Sequence, residues 1–165
     1  MNKFDKNGLC EIQGKLGESL FVSAATNLGL TVKEATKNEN IYSHIDYWLD
    51  GKWAIDVKAQ KKNTRYGQID NKYIWVEFKG ITGYPGWLYG KSDFIGFERE
   101  SDFILVRRKE LLAKVLELTD LVNFVEDPKD AIYKAFRRTS RPLEMTTRIE
   151  SSILESLPHK ILAKS

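Results

Sequence analysis

Apolar positions change period along this chain, and the changes mark its elements. Leu16, Leu20, Phe21, Ala24 and Leu28 recur at helical spacing, which predicts a helix over 14–30 with Gly29 as its stop and Glu18 at the edge of its apolar face. Residues 31–36 read as a short strand and 37–40 as a turn. Residues 41–49 (IYSHIDYWL) and 52–60 (KWAIDVKAQ) read as the two strands of a hairpin. In 72–79 (KYIWVEFK), Ile74, Val76 and Phe78 alternate onto one face of a strand. Residues 80–90 hold four glycines and a proline and read as a structured loop. Strands are expected at 93–98 and 102–108, a helix at 109–125 with a break near Thr119, and a short helix at 127–138 capped around Asp127 and Pro128. A late strand at 142–150 and a short helix at 151–157 complete the pattern. This order predicts an α/β or α+β domain around a mixed sheet. The expected organisation is an N-terminal arm over 1–13, a core over 14–126, and an extension over 127–165 packed on the same domain.

The hairpin has a register that parity dictates. Ile45, Tyr47 and Leu49 form the better apolar face of its first strand, and Trp53, Ile55 and Val57 that of its second. Both sets face one core only if Leu49 pairs with Trp53, Tyr47 with Ile55 and Ile45 with Val57. This requires an odd loop, Asp50-Gly51-Lys52, or a bulge. Asp46 then lies opposite Asp56 on the other face, with Lys58 following on that face. Opposed like charges destabilise an antiparallel pair, so one carboxyl holds a proton or a cation lies between them. Mg²⁺ suits such a place, being hard and held by one or two carboxylates with water and phosphate. The alternative is a pair of solvated carboxylates on an open sheet face.

Composition narrows the setting without fixing it. The chain has 165 residues, 42% hydrophobic and 30% charged, which suits one globular domain. A net charge of +3 permits an anionic partner without demanding one. One cysteine, Cys10, excludes an internal disulfide and fits a reducing compartment. The first residues lack the apolar core of a secretory signal, and the uncharged run 19–32 is too short and polar to span a bilayer. The expectation is a soluble, cytoplasmic protein of a bacterial or phage-infected cell, with no membrane partner. No internal repeat, zinc-finger spacing or major-groove recognition helix is legible.

Asp46, then Asp56-Val57-Lys58 on the next strand, after a helix bearing Glu18, resembles the PD-(D/E)XK nuclease superfamily. The resemblance covers about residues 14 to 110 and extends to small phage-type nucleases and to resolvases that cut branched DNA. It implies a restriction-endonuclease-like core, Mg²⁺ or Mn²⁺ as cofactor, and Asp46 and Asp56 as metal ligands. It also implies Lys58 as the residue that positions the attacking water and Glu18 as the helix acid. Gln60 resembles a glutamine of some exonuclease-like branches. Ile45 stands where the family motif has proline, and only the Asp that follows carries chemistry.

The tripeptide alone is a weak signal, since [DE]-x-K also occurs at Asp50, Asp70, Glu77 and Asp127. Glu77-Phe78-Lys79 is the serious rival, with Asp56 as its upstream acid. Glu77 otherwise reads as a solvent-facing strand residue, and Glu18 as an acid favoured by its helix start. His44 faces the side of Asp46 and reads as a surface or supporting residue. Lys61, Lys62 and Arg65 form a basic loop that either contacts phosphates or is simply solvated. Arg137, Arg138 and Arg141 form a second basic cluster, of which at least one is expected on a DNA backbone. Trp87 and Tyr89 read as core or interface packing, with stacking on a base as the alternative. The expected function is a metal-dependent DNA endonuclease that reads DNA structure, such as a junction, and works as a homodimer. The rival expectations are an exonuclease of the same superfamily and a non-catalytic nucleic-acid-binding module.

Overall fold

A computed structural model describes residues 8–63, 68–69 and 71–165, with the backbone alone at 62, 63, 68 and 69. The chain opens with α1 (Leu9–Asn27), β1 (Val32–Glu34) and α2 (Lys37–Ser43), then the hairpin β2 (Tyr47–Leu49) and β3 (Trp53–Lys58). Two short paired strands, β4 (Lys62–Asn63) and β5 (Gln68–Ile69), precede β6 (Tyr73–Lys79) and a 3-10 turn at Trp87–Tyr89. Next come β7 (Phe94–Glu98), β8 (Asp102–Arg107), α3 (Arg108–Leu118) and β9 (Asp120–Val125). A 3-10 turn at Pro128–Asp130 leads to β10 (Lys134–Arg138), β11 (Arg141–Glu150), α4 (Ser152–Ser156) and β12 (His159–Ala163).

The fold is mixed α and β, built on two larger sheets. One has six strands in the order β1-β2-β3-β7-β8-β12, and the other four in the order β6-β11-β10-β9. In the six-stranded sheet only β3 and β7 run parallel. Its side chains alternate between two cores. Ile55, Val57, Phe103 and Leu105 meet Phe21, Ala24 and Ala25 of α1 on one face. Ile95, Phe97, Ile104 and Val106 meet Val76, Phe78 and Ile149 of the second sheet, Leu111 and Val115 of α3, and Trp87 and Leu88 on the other. The main sheet thus has α1 on one face, while on the other α3 shares the space with a second sheet that a single-sheet expectation lacks, because Ile74, Val76 and Phe78 turn their apolar stripe onto it.

Several elements differ from the pattern-based expectation. Residues 37–43 are helical, where a turn and the start of a strand were expected. The cause is a capping box: Thr36 Oγ1 accepts from Glu39 N and Glu39 Oε2 accepts from Thr36 N. His44 ends this helix at φ 52, and the chain turns into β2. Helix α3 stops at Thr119 as expected, but residues 120–125 form a strand, and 134–138 form a strand where a helix was expected. In both, the strand is fixed by sheet partners that local periodicity does not reveal. The C-terminal β12 pairs with β8 at the edge of the main sheet.

Close approach of α1 to the main sheet depends on Gly17. A Cβ there would lie 2.6 Å from the Ala59 Cβ and 3.1 Å from the Ala59 Cα, just past the end of β3. That contact sets the next residue, Glu18, beside the hairpin. We expect Gly17→Val to destabilise the fold by about 1–3 kcal/mol through overpacking. Urea unfolding of the two proteins measures it; equal midpoints would contradict this role.

Candidate active site

The hairpin adopts the register expected from parity: Leu49 pairs with Trp53 and Tyr47 with Ile55. Its loop is Asp50-Gly51-Lys52, with φ of 52 at Asp50 and 62 at Gly51. Past β2 the register shifts: Asp46 N donates to Ile55 O at 2.8 Å, where regular pairing would set Asp46 opposite Asp56, and Ile45 N donates to Glu39 O, so the expected pairing of Ile45 with Val57 is not part of the ladder. Asp46 reaches the neighbouring strand with its side chain too. Its Oδ2 accepts from Val57 N at 2.7 Å and its Oδ1 from Asn40 Nδ2 at 2.7 Å. Thus α2, the element that alternation concealed, orients the first acid through Asn40.

Asp56 sits in the layer between the two sheets and is only 2% exposed, which excludes the open-face alternative. Its neighbour on β7 is Ile95, and Lys58 pairs with Phe97. One oxygen, Oδ1, pairs with Lys58 Nζ at 2.7 Å. The other, Oδ2, is buried without a hydrogen-bond partner among the described residues. Burial pushes the Asp56 carboxyl from 3.8 up to about 7; Lys58 opposes the rise and the Asp46 carboxylate adds to it. An unsatisfied buried carboxylate oxygen costs about 1–3 kcal/mol or more, so this atom calls for a proton or a cation.

Lys58 is held from above by Trp87, whose ring centroid lies 5.0 Å from Nζ. Trp87 is itself fixed. Gly86 N donates to Phe78 O at 2.8 Å, and a Cβ on Gly86 would meet Glu77 O at 2.5 Å, so this loop lies flat on β6. The buried Arg108 donates to Leu88 O at 2.8 Å and to Ser92 O at 2.9 Å. His44 supports the same loop, with Nε2 3.2 Å from Pro85 O. Glu18 is half-buried and shares a hydrogen with the Tyr47 hydroxyl, whose oxygen is 3.3 Å from Oε2. Burial first, and then the Asp46 charge, raise the Glu18 carboxyl above its ordinary value. Burial first, and then the adjacent Glu18 carboxylate, push the Tyr47 hydroxyl up to about 12, with Asp46 a smaller contributor.

Lys58 opens onto a cleft of about 1060 Å³ whose walls include Gln60, Lys61, Asn71, Trp75 and Arg148. Gln60 is anchored there: its N donates to Glu98 Oε2 at 2.9 Å and its Nε2 donates to Asn71 Oδ1. Lys61 is exposed at the same cleft. Lys62 is described as backbone of β4 only, and Arg65 lies outside the described residues. The second basic cluster stands apart from this cleft. Arg137 lies 4.1 Å over the Phe124 ring, Arg138 is exposed over Phe136, and Arg141 pairs with Glu144 at 3.5 Å. The rival acid Glu77 lies on β6 of the second sheet, opposite Thr146 of β11, so β6 is not the strand beside β3. Sequence reasoning missed Asn40, Trp87 as the lid of Lys58, and Arg148. The Thr36-to-Glu39 capping signature could have found the helix carrying Asn40.

Among the described residues no group of three or more His, Cys, Asp and Glu side chains forms a ready metal cage. The donor set nonetheless fits a hard cation of the Mg²⁺ type. Asp56 Oδ2 lacks a partner, Asp46 is adjacent, and such ions take one or two carboxylates and complete their shell with water and phosphate. Asp46 and Asp56 would hold it.

A carboxyl whose pKa rises on folding stabilises the fold at low pH and loses that contribution as pH climbs through the folded value. For Asp56 the loss runs from about pH 4 to about pH 7. In EDTA, Asp56→Asn is expected to gain on wild type by about 1–3 kcal/mol more at pH 8 than near pH 4. Urea unfolding at both pH values checks this; a pH-independent difference would contradict it.

Comparison with protein families, with curated proteins and with solved structures finds no match to this chain.

Proposed function

We propose that this chain is a metal-dependent DNA nuclease on a restriction-endonuclease-like core, cutting phosphodiester bonds by reference to DNA structure. The observation that carries the reading is the orphaned, buried Asp56 Oδ2 between the Asp46 carboxylate and the Lys58 ammonium. Lys58 meets only one oxygen of this buried carboxyl, and a divalent ion shared with Asp46 is, beside a proton, one of the two ways of meeting the other. The parallel pairing of β3 with β7 and the α1 packing behind them also suit the resemblance. One departure is the connection from β3 to β7, which carries strands and a 3-10 turn and no α-helix among its described residues.

In this reading Asp46 and Asp56 would hold Mg²⁺, or Mn²⁺ in its place, with Glu18 near Asp46 on α1. A bound ion would stabilise charge developing on the phosphate and make the attacking water more acidic. Lys58, paired with Asp56 and lining the cleft, would orient the water or hold a phosphate oxygen. Trp87 keeps the ammonium aimed and excludes bulk water. Gln60 and Lys61 receive the flanking strand at the cleft. Branched DNA is the favoured substrate, and paired cuts across a junction would use two copies of the chain. No described helix is long and apolar enough to cross a membrane, in keeping with work in the cytoplasm. A non-catalytic DNA-binding module is the second reading, favoured by the lack, among the described residues, of a group of three His, Cys, Asp or Glu ligands.

The test is a cleavage panel of linear duplex, single strand, closed circle and four-way junction, with Mg²⁺, Mn²⁺ or EDTA. Wild type should cut with metal and not in EDTA. Asp56→Asn and Lys58→Ala should each lose on the order of 100-fold in rate. Retained DNA binding with no cutting of any substrate would replace this reading with the binding module.

A further inference from the structure

The cleft that starts at Lys58 is larger than one phosphate needs. Its volume of about 1060 Å³ reaches the top of the range of about 300–1,000 Å³ that serves whole organic ligands. It follows the free edge of β6, the outermost strand of the second sheet, whose outer side carries only the distant bridge of Lys79 with Pro85 among the described residues. Along that edge the wall is aromatic. The half-buried rings of Tyr73 and Trp75 lie 4.6 and 5.6 Å from the Arg148 guanidinium, which also donates to Pro128 O at 3.3 Å. Across the cleft stand Val57, Lys58 and Trp87.

Charge is divided along this surface. Lys58 and Lys61 stand at the site end. Farther along, Arg99 is bound to Asp102 and Glu155 and Glu100 is exposed, while Glu98, bound to Lys164, also accepts from Gln60 N beside Lys61. A continuous duplex laid here would bring phosphates to the exposed Glu100 carboxylate. It would also offer no base face to the rings, because paired bases are stacked on one another. An unpaired strand meets both conditions, with phosphates at the lysines and bases on aromatic and guanidinium planes.

We propose that this cleft holds unpaired nucleotides of the strand cut at Asp56 and Lys58, with bases stacked against Tyr73 and Trp75 and phosphates at Lys58 and Lys61. The inference rests on the nuclease reading and sharpens it. The preferred substrate has an unpaired segment beside the scissile bond, as in a flap, a gap or an opened junction arm.

The experiment is done in EDTA with the full chain, where no cutting occurs, so it is independent of the cleavage panel. Cys10, the chain's one cysteine, is exposed at the cleft and serves as a reporter. Its alkylation rate and the tryptophan fluorescence are followed while a short oligothymidylate, or a blunt duplex of equal length, is added. The oligothymidylate should slow alkylation and quench fluorescence saturably, and the duplex should do neither at the same nucleotide concentration. Trp75→Leu, which keeps an apolar side chain against Phe136, should weaken single-strand binding by about tenfold. Unchanged alkylation of wild type with saturating oligothymidylate would overturn the proposal, whatever Trp75→Leu does. So would equal protection by the duplex. Absence of cleavage together with single-strand protection would remove the nuclease reading alone.

Discussion

A carboxylate buried in the layer between two sheets is the constraint around which this molecule is arranged. Asp56 lies among side chains that make the core, and a lone charge there would be driven out or neutralised. Lys58 satisfies one of its oxygens, and the other is left for a proton or an ion. What surrounds the pair follows from that need. Trp87 covers the lysine, Arg108 pins the loop that carries Trp87, and Asn40 and Val57 N direct Asp46 toward the same point. Stability is given up locally to keep a charge poised, as is common where chemistry is done.

The position of the acids was legible in the sequence because a hairpin is a local structure with few choices. Apolar residues at 45, 47 and 49 against 53, 55 and 57 admit one register with both faces inward; Leu49 with Trp53 and Tyr47 with Ile55 follow it, while Ile45 leaves the ladder and donates to Glu39 O. The burial of Asp56 was not legible. It depends on residues 80–90 folding back over β3, and on β6 joining a second sheet with β11, partners far apart in sequence. The same limit explains β9 and β10. Their apolar spacing suits a helix as well as a strand, and the choice is made by pairing, β10 with β11 and β9 with β10. Helix α2 is a different case: its capping box was written in Thr36 and Glu39 and was outweighed by the alternation that follows.

Two features link the site to the wider fold. Gly17 lets α1 press against the end of β3, which brings Glu18 to the Tyr47 hydroxyl and into the field of Asp46. Lys58 stands at the mouth of a cleft that continues along the β6 edge, so a polymer held there would pass Lys58, the partner of the buried Asp56. The basic residues at 137, 138 and 141 are spent mostly on packing and pairing within the second sheet, which leaves the cleft as the surface best suited to substrate.

Calorimetric titration of Mn²⁺ and Mg²⁺ into metal-free protein at pH 8 tests the central claim, that Asp56 and Asp46 form an ion site. Binding of one ion per chain, with proton release that grows as the buffer is taken below pH 7, and its loss in Asp56→Asn, is the predicted result. Equal binding by wild type and Asp56→Asn, or none by either, would contradict it.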